Sequence, residues 1–229
     1  MAKIVFHVGG PAFHPVAEQA QLIASWLDTE LGGRHEYLIA ASVSAFEMLD
    51  ECELFVAMGL HWTGMDAEWA GKMEYHPLLG AHQEAFNAYV ASGRPIIAHH
   101  GGIASYDDWP RYDELLGFTW VWGQTTHSPL GDHKVEVHKT GHPIVEGLQN
   151  YTLFDELYYN VQVTPGMEAA VQATAEWDGQ PRPMIITAEG GRLAGAGRTV
   201  YLANGHDMRA FAAPALRQIW VNAVRWALG

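Results

Sequence analysis

Cysteine is almost absent from these 229 residues: Cys52 is the only one. No internal disulfide can form, which fits a reducing compartment, and zinc sites built on paired cysteines are excluded. Cys52 enters a predicted strand, where a buried thiol is a poor nucleophile. Positive charge is scarce too. Lys and Arg number 13 against 26 Asp and Glu, for a formal net charge of −13. Such a chain repels phosphate backbones, so no nucleic-acid partner is expected. No stretch approaches the roughly 20 apolar residues of a membrane helix, and no membrane partner is expected. The opening Met1-Ala2-Lys3-Ile4-Val5-Phe6-His7 lacks a signal peptide's apolar core and cleavage site, so a cytoplasmic location is expected. There is no GxxxxGK[ST] phosphate loop and no GxSxG elbow. Residues 190–197 are glycine-rich, but they precede a strand rather than open a helix, and they read as a hairpin connection.

What is present is a large apolar fraction, 48%, with nine Trp and thirteen His. The length and composition suit one domain over residues 1–229 with a sizeable core. The N-terminal half alternates strands and helices. Residues 3–8, 36–40, 53–59 and 95–98 read as short buried strands. Residues 15–31 and 81–92 have helical apolar spacing, 44–49 a short helix, and 61–79 is irregular. This alternation predicts an α/β fold, a parallel sheet with helices on both faces. Residues 119–122, 134–138, 151–157, 169–175, 184–188 and 199–203 read as further strands, with turns at Gly131-Asp132 and Gly190-Gly191. They form an antiparallel β elaboration. Residues 214–228 close the chain as an amphipathic helix.

In an open parallel sheet, ligands bind beyond the carboxyl ends of the strands. Here those ends carry histidines: His14 after the first strand, His61 beside Trp62 after the third, and His99-His100 after the fourth. His99, directly after a buried strand, points into the cleft or into the core, with the cleft favoured, and strand alternation sends His100 elsewhere. His7, inside the first strand, reads as a core residue, and His142 before Pro143 as a turn former. Asp155-Glu156 lies within an apolar strand, so only one of the two faces the site. A buried carboxylate there is a candidate general acid or base; the alternative is a buried salt bridge, with Arg198 as partner. Gly205-His206-Asp207 presents a His and a carboxylate together at another strand end.

Taken in order, these segments resemble the ThuA-like (trehalose utilisation) family of the class I glutamine amidotransferase-like superfamily. The markers are Ile97-Ala98-His99-His100, residues 109–117 from Trp109-Pro110-Arg111 onward, His127 and His142-Pro143-Ile144. Asp155-Glu156-Leu157-Tyr158, Gly197-Arg198-Thr199-Val200-Tyr201 and Gly205-His206-Asp207 complete the series. The match spans essentially the whole chain. It implies a flavodoxin-like sheet. Glutamine amidotransferases carry a Cys in the sharp turn after the strand equivalent to residues 95–98. His99-His100 stands there instead, so thiolate glutaminase chemistry is not expected.

The resemblance points to carbohydrate metabolism, with a small-molecule sugar or sugar derivative as partner. The expected activity is hydrolysis or elimination on a sugar or keto-sugar. His99, His206, Asp155 and Glu156 are the catalytic candidates. His14, His61, Trp62, His127, Tyr158 and Asp207 are the substrate-binding candidates. A divalent metal such as zinc would need His and carboxylate ligands. Two other readings are a non-catalytic sugar-binding or regulatory module that kept an enzyme fold, and a subunit of a homo-oligomer or larger complex.

Overall fold

The computed structural model describes residues 1–64 and 75–229. Trp69 and Glu74, in the stretch expected to be irregular, lie outside the described residues. In chain order the elements are β1 (Lys3–Val8), α1 (Val16–Glu30), β2 (Glu36–Ala41), β3 (Leu54–Ala57), α2 (Gly80–Ala91), β4 (Ile96–His99), α3 (Arg111–Leu116), β5 (Phe118–Thr119) and β6 (Thr126–His127). Then follow β7 (Gly131–Val137), β8 (Tyr151–Asp155), β9 (Tyr158–Tyr159), β10 (Gln162–Val163), β11 (Glu168–Trp177), β12 (Gln180–Glu189), β13 (Thr199–Leu202) and α4 (Pro214–Leu228).

One nine-stranded sheet has the order β2-β1-β3-β4-β13-β12-β11-β7-β8. The first five strands are mutually parallel, and every pairing from β13 to β8 is antiparallel. The expected parallel core with an antiparallel elaboration is thus one continuous sheet. β3, β4 and β13 are buried at every position. That requires cover on both faces, which is why these strands read as unbroken apolar runs instead of alternating ones. α1 and α4 pack together, with α4 against β4 and β13. α2 packs on the 3-10 segment Ser42–Glu51, where the rings of Phe46, Phe55 and Phe86 meet at 5.4–5.6 Å.

Two local expectations are corrected. Gly131-Asp132 is not a turn: Gly131 opens β7 and pairs with Asp155. Residues 119–122 do not form a strand of their own, since β5 ends at Thr119 and Trp120 N–H donates to Ile103 O. Residues 111–116 form α3, which ends at Gly117 with φ 95°, a left-handed position suited to glycine. Among the described residues no helix is long and apolar enough to cross a membrane.

The chain leaves β1, runs to the edge strand β2, then returns to β3 on the other side of β1. This reversal opens a crevice beyond the carboxyl ends of the parallel strands. The loops after β1, β4 and β13 all emerge at that edge.

Candidate functional site

The site begins at the end of β4. His99 is the last strand residue and His100 is the next, with φ 42°. A left-handed backbone is costly for a residue with a Cβ and persists only where the surroundings enforce it. Two residues on, a Cβ at Gly102 would sit 2.2 Å from Ala57 O, so the turn presses directly against the end of β3. The turn separates the two imidazoles. His99 is fully buried, its Nε2 3.0 Å from Asn204 O, with its ring beside Trp220 of α4 at 5.4 Å. Burial pushes its pKa down to about 3, so the ring is neutral.

His100 faces the opposite way, into the crevice. Its Nδ1 lies 2.7 Å from Ala203 O. A carbonyl only accepts, so Nδ1 carries a proton, and in the neutral tautomer Nε2 presents a lone pair. That Nε2 is buried, has no hydrogen-bond partner, and lies 3.4 Å from Glu156 Oε1. Two electron-rich atoms facing each other in a buried place call for a proton or a cation between them.

Two more imidazoles converge on the same carboxylate. His206 Nδ1 lies 3.0 Å from Glu156 Oε1 and 3.0 Å from His14 Nε2. One donor atom each from His14, His100, Glu156 and His206 lies within 4.8 Å of all the others, and all four residues are buried. Tetrahedral zinc with bonds of about 2.0 Å separates its ligand atoms by about 3.3 Å. Three of the spacings, 3.0–3.4 Å, match that, with the rest within 4.8 Å, and three imidazoles with one carboxylate suit zinc or a similar divalent ion. A ring held through its other nitrogen by a backbone carbonyl, as His100 is, is the usual support of a metal-binding histidine.

Burial by itself would raise the Glu156 pKa, yet the imidazoles of His100, His127 and His206 around it hold the carboxyl far below the usual range. Its second oxygen, Oε2, is 3.0 Å from His127 Nδ1. His127 is half-exposed, and that hydrogen bond raises its pKa. Burial, with His100 and His206 alongside, lowers the pKa of His14. Above the cluster lies a cavity of about 370 Å³, walled by Phe13, Leu60, Trp62, Trp120, Trp122 and Tyr158, with His14, His127, Glu156 and His206 at its polar end. A larger open concavity of about 880 Å³ beside His142 holds none of these groups.

A family model for ThuA, trehalose utilisation, matches residues 31–227. The chain belongs to the ThuA family. No curated protein matches the sequence. Among solved structures, a ThuA-like protein from Parabacteroides merdae superposes with a TM-score of 0.73 at 16% identity, over 99% of this chain and 90% of that one. A ThuA-like protein from Bacteroides uniformis gives 0.71 at 19% identity, over 99% and 91%. The glutaminase domain of Trypanosoma brucei CTPS gives 0.50 at 10% identity, over 99% and 94%. At these identities the likeness is one of fold. The family's description implies a carbohydrate-related role.

Of the residues singled out in this ThuA sequence, His14, Glu156 and His206 come together, with His127 on the outer oxygen of Glu156. Trp62 and Tyr158 line the cavity, and the Tyr158 ring lies 4.0 Å from that of His100. The expectation that His99 faces the cleft is corrected, because the left-handed turn puts His100 there instead. Asp155 and Glu156 do diverge, but Asp155 faces backbone and not the cavity. It accepts from Gly205 N at 2.8 Å, His206 N at 2.9 Å and Asn204 Nδ2 at 3.2 Å, clamping the loop that carries His206. Burial raises its pKa against those hydrogen bonds. Arg198 pairs with Glu189 and with neither acid.

His61 is not in the cluster. It is buried, its Nε2 3.1 Å from Val8 O and its ring stacked on Tyr106. Asp207 turns away to an ion pair with Arg209 and caps the Arg209 N–H at 2.8 Å. His7 bonds Tyr106 Oη at 2.9 Å inside the core, and His142 caps Ile144 N–H at 3.1 Å. Sequence reasoning missed His100 as a member of the cluster. The available signal was Gly101-Gly102 directly after it, which marks a tight turn at the carboxyl end of the strand, where ligands bind.

Proposed function

We propose that this ThuA-family protein is an enzyme acting on a sugar or keto-sugar derivative by hydrolysis or elimination, without glutaminase activity. In this reading His14, His100, Glu156 and His206 hold a divalent metal such as zinc. The observation that carries it is four converging donor atoms, with the orphaned Nε2 of His100 among them, at the base of an aromatic-walled cavity. Cys52 offers no alternative nucleophile: it is buried, and burial pushes its thiol up to about 11. A reduced, buried lone thiol also fits a cytoplasmic setting.

A bound metal of this kind supplies Lewis-acid polarisation of a substrate carbonyl or hydroxyl oxygen. The chain's own residues do the rest. Glu156, held ionised, supplies the negative charge of the ligand set. The Ala203 carbonyl fixes the tautomer of His100. His127, half-exposed at the polar end of the cavity, is placed to exchange a proton with an attacking or departing oxygen. The aromatic side chains wall the approach to the cluster.

The test is turnover of a panel of glycosides and keto-glycosides by protein as purified, stripped by chelator, and reconstituted. Stripping is expected to lower turnover about 100-fold or more, and zinc or manganese to restore it. Glu156→Gln should match the stripped protein. Full turnover by both would contradict the proposal. Saturable binding of a sugar that is never converted would favour the non-catalytic module.

A further inference from the structure

We infer that Gln19 is a positioning residue for the metal cluster: it aims the His206 imidazole by holding the backbone on both sides of the His206 Cα. The inference rests on the metal-holding role proposed above for His14, His100, Glu156 and His206, and adds a residue outside that set. Gln19 lies at the start of α1 and is fully buried, an unusual place for a glutamine. Its Nε2 lies 2.9 Å from Gly205 O and 3.3 Å from His206 O. Both partners are carbonyls, which only accept, so the amide nitrogen faces them and offers each one of its two hydrogens. Oε1 is left buried without a hydrogen-bond partner. An apolar side chain of the same size would fill this space without that cost, so the two bonds to the loop are what the amide adds.

A second observation shows what those bonds act on. The Gly205 carbonyl belongs to the peptide entering His206, and the His206 carbonyl to the peptide leaving it. Asp155 accepts from the nitrogen of the entering peptide at 2.9 Å. That plane is therefore gripped at both ends, by Asp155 from β8 and by Gln19 from α1. Two peptide planes held about one Cα set the direction of its Cβ. The loop also has no room to sink: Gly205 has φ 131°, and a Cβ there would sit 2.3 Å from His99 Nε2. From its Cβ the His206 ring reaches Glu156 Oε1 and His14 Nε2, each 3.0 Å from its Nδ1. His14 leads into the same helix, so α1 presents one member of the cluster and aims a second.

The test is zinc titration of the chelator-stripped full chain, with the visible absorption of its cobalt(II) form, for the wild type, Gln19→Met and Ile23→Ala. Methionine fills the space of glutamine without its donors. Ile23 is an equally buried residue one turn further along α1, with an apolar side chain that can make no hydrogen bond to the loop. Gln19→Met is expected to weaken zinc binding at least tenfold and to alter the cobalt spectrum, which reports ligand geometry. Ile23→Ala is expected to lower the melting temperature and leave both readouts unchanged. On a His206→Ala background, Gln19→Met should cost no further affinity, because its effect runs through that ring. If methionine at position 19 prevents folding, Gln19→Glu, with the same shape and at most one hydrogen for two carbonyls, is expected to weaken binding at least fivefold. Unchanged affinity and spectrum in the Gln19 variants overturn the positioning role and leave the proposed function standing. So do equal losses in Gln19→Met and Ile23→Ala, or a further loss on the His206→Ala background. A wild type that takes up neither zinc nor cobalt overturns this inference together with the metal reading it rests on.

Discussion

His100→Asn is expected to yield folded protein that has lost its metal, and His99→Ala to yield destabilised protein that has kept it. Asparagine tolerates the left-handed backbone of position 100, and its amide can donate to Ala203 O as His100 Nδ1 does. What it lacks is any atom in the place of Nε2. Loss of one ligand in four should weaken metal binding by about 100-fold or more, since even supporting groups cost about 10–100-fold. The melting temperature of the metal-free protein should hardly move. His99 is the reverse case. It fills core space beside Trp220 and Phe211, so truncation leaves a cavity and should cost about 2–5 kcal/mol. Elemental analysis and urea denaturation of the two variants read both effects. Metal retained by His100→Asn and lost by His99→Ala would invert the assignment at this turn.

Asp155→Ala should give the largest stability loss among the acids. Its carboxylate serves three buried donors: Gly205 N, His206 N and Asn204 Nδ2. Each buried donor left unsatisfied costs about 1–3 kcal/mol, and the effects within one loop do not add fully. A loss of about 4 kcal/mol is expected, a large share of the roughly 5–15 kcal/mol that holds a domain together. Asp155→Asn keeps the size but turns an N–H₂ toward backbone N–H groups, so it should recover only part of that loss. Because the clamp positions His206, metal affinity should fall alongside stability in both variants. An Asp155→Asn protein as stable as the wild type, with unchanged metal affinity, would show that the clamp does not matter.

These residues also show how far the site is legible in sequence. The strand ends carrying His14 and His206 follow from the α/β alternation, because buried runs ending in Gly-rich loops locate the carboxyl edge of a parallel sheet. The divergence of Asp155 and Glu156 follows from strand alternation. Which of them meets the histidines does not, since it depends on the β13 loop some fifty residues later in the chain. Alternation separates His99 from His100 but does not say which of the two meets the cleft; the turn at His100, with φ 42°, decides it. α3 escaped notice because six residues hold too few turns for a helical period, although Tyr112, Leu115 and Leu116 do share its buried side. The opening of β7 at Gly131 was hidden because its partner is Asp155, and only long-range pairing makes that glycine a strand residue.

The most direct test of the account is the metal content of tag-free wild-type protein purified without chelators, measured by elemental mass spectrometry beside Glu156→Gln. A near-stoichiometric divalent transition metal is expected in the wild type and almost none in the variant. A wild type that stays metal-free after soaking in zinc, manganese and iron salts would contradict it. So would a Glu156→Gln protein that holds as much metal as the wild type.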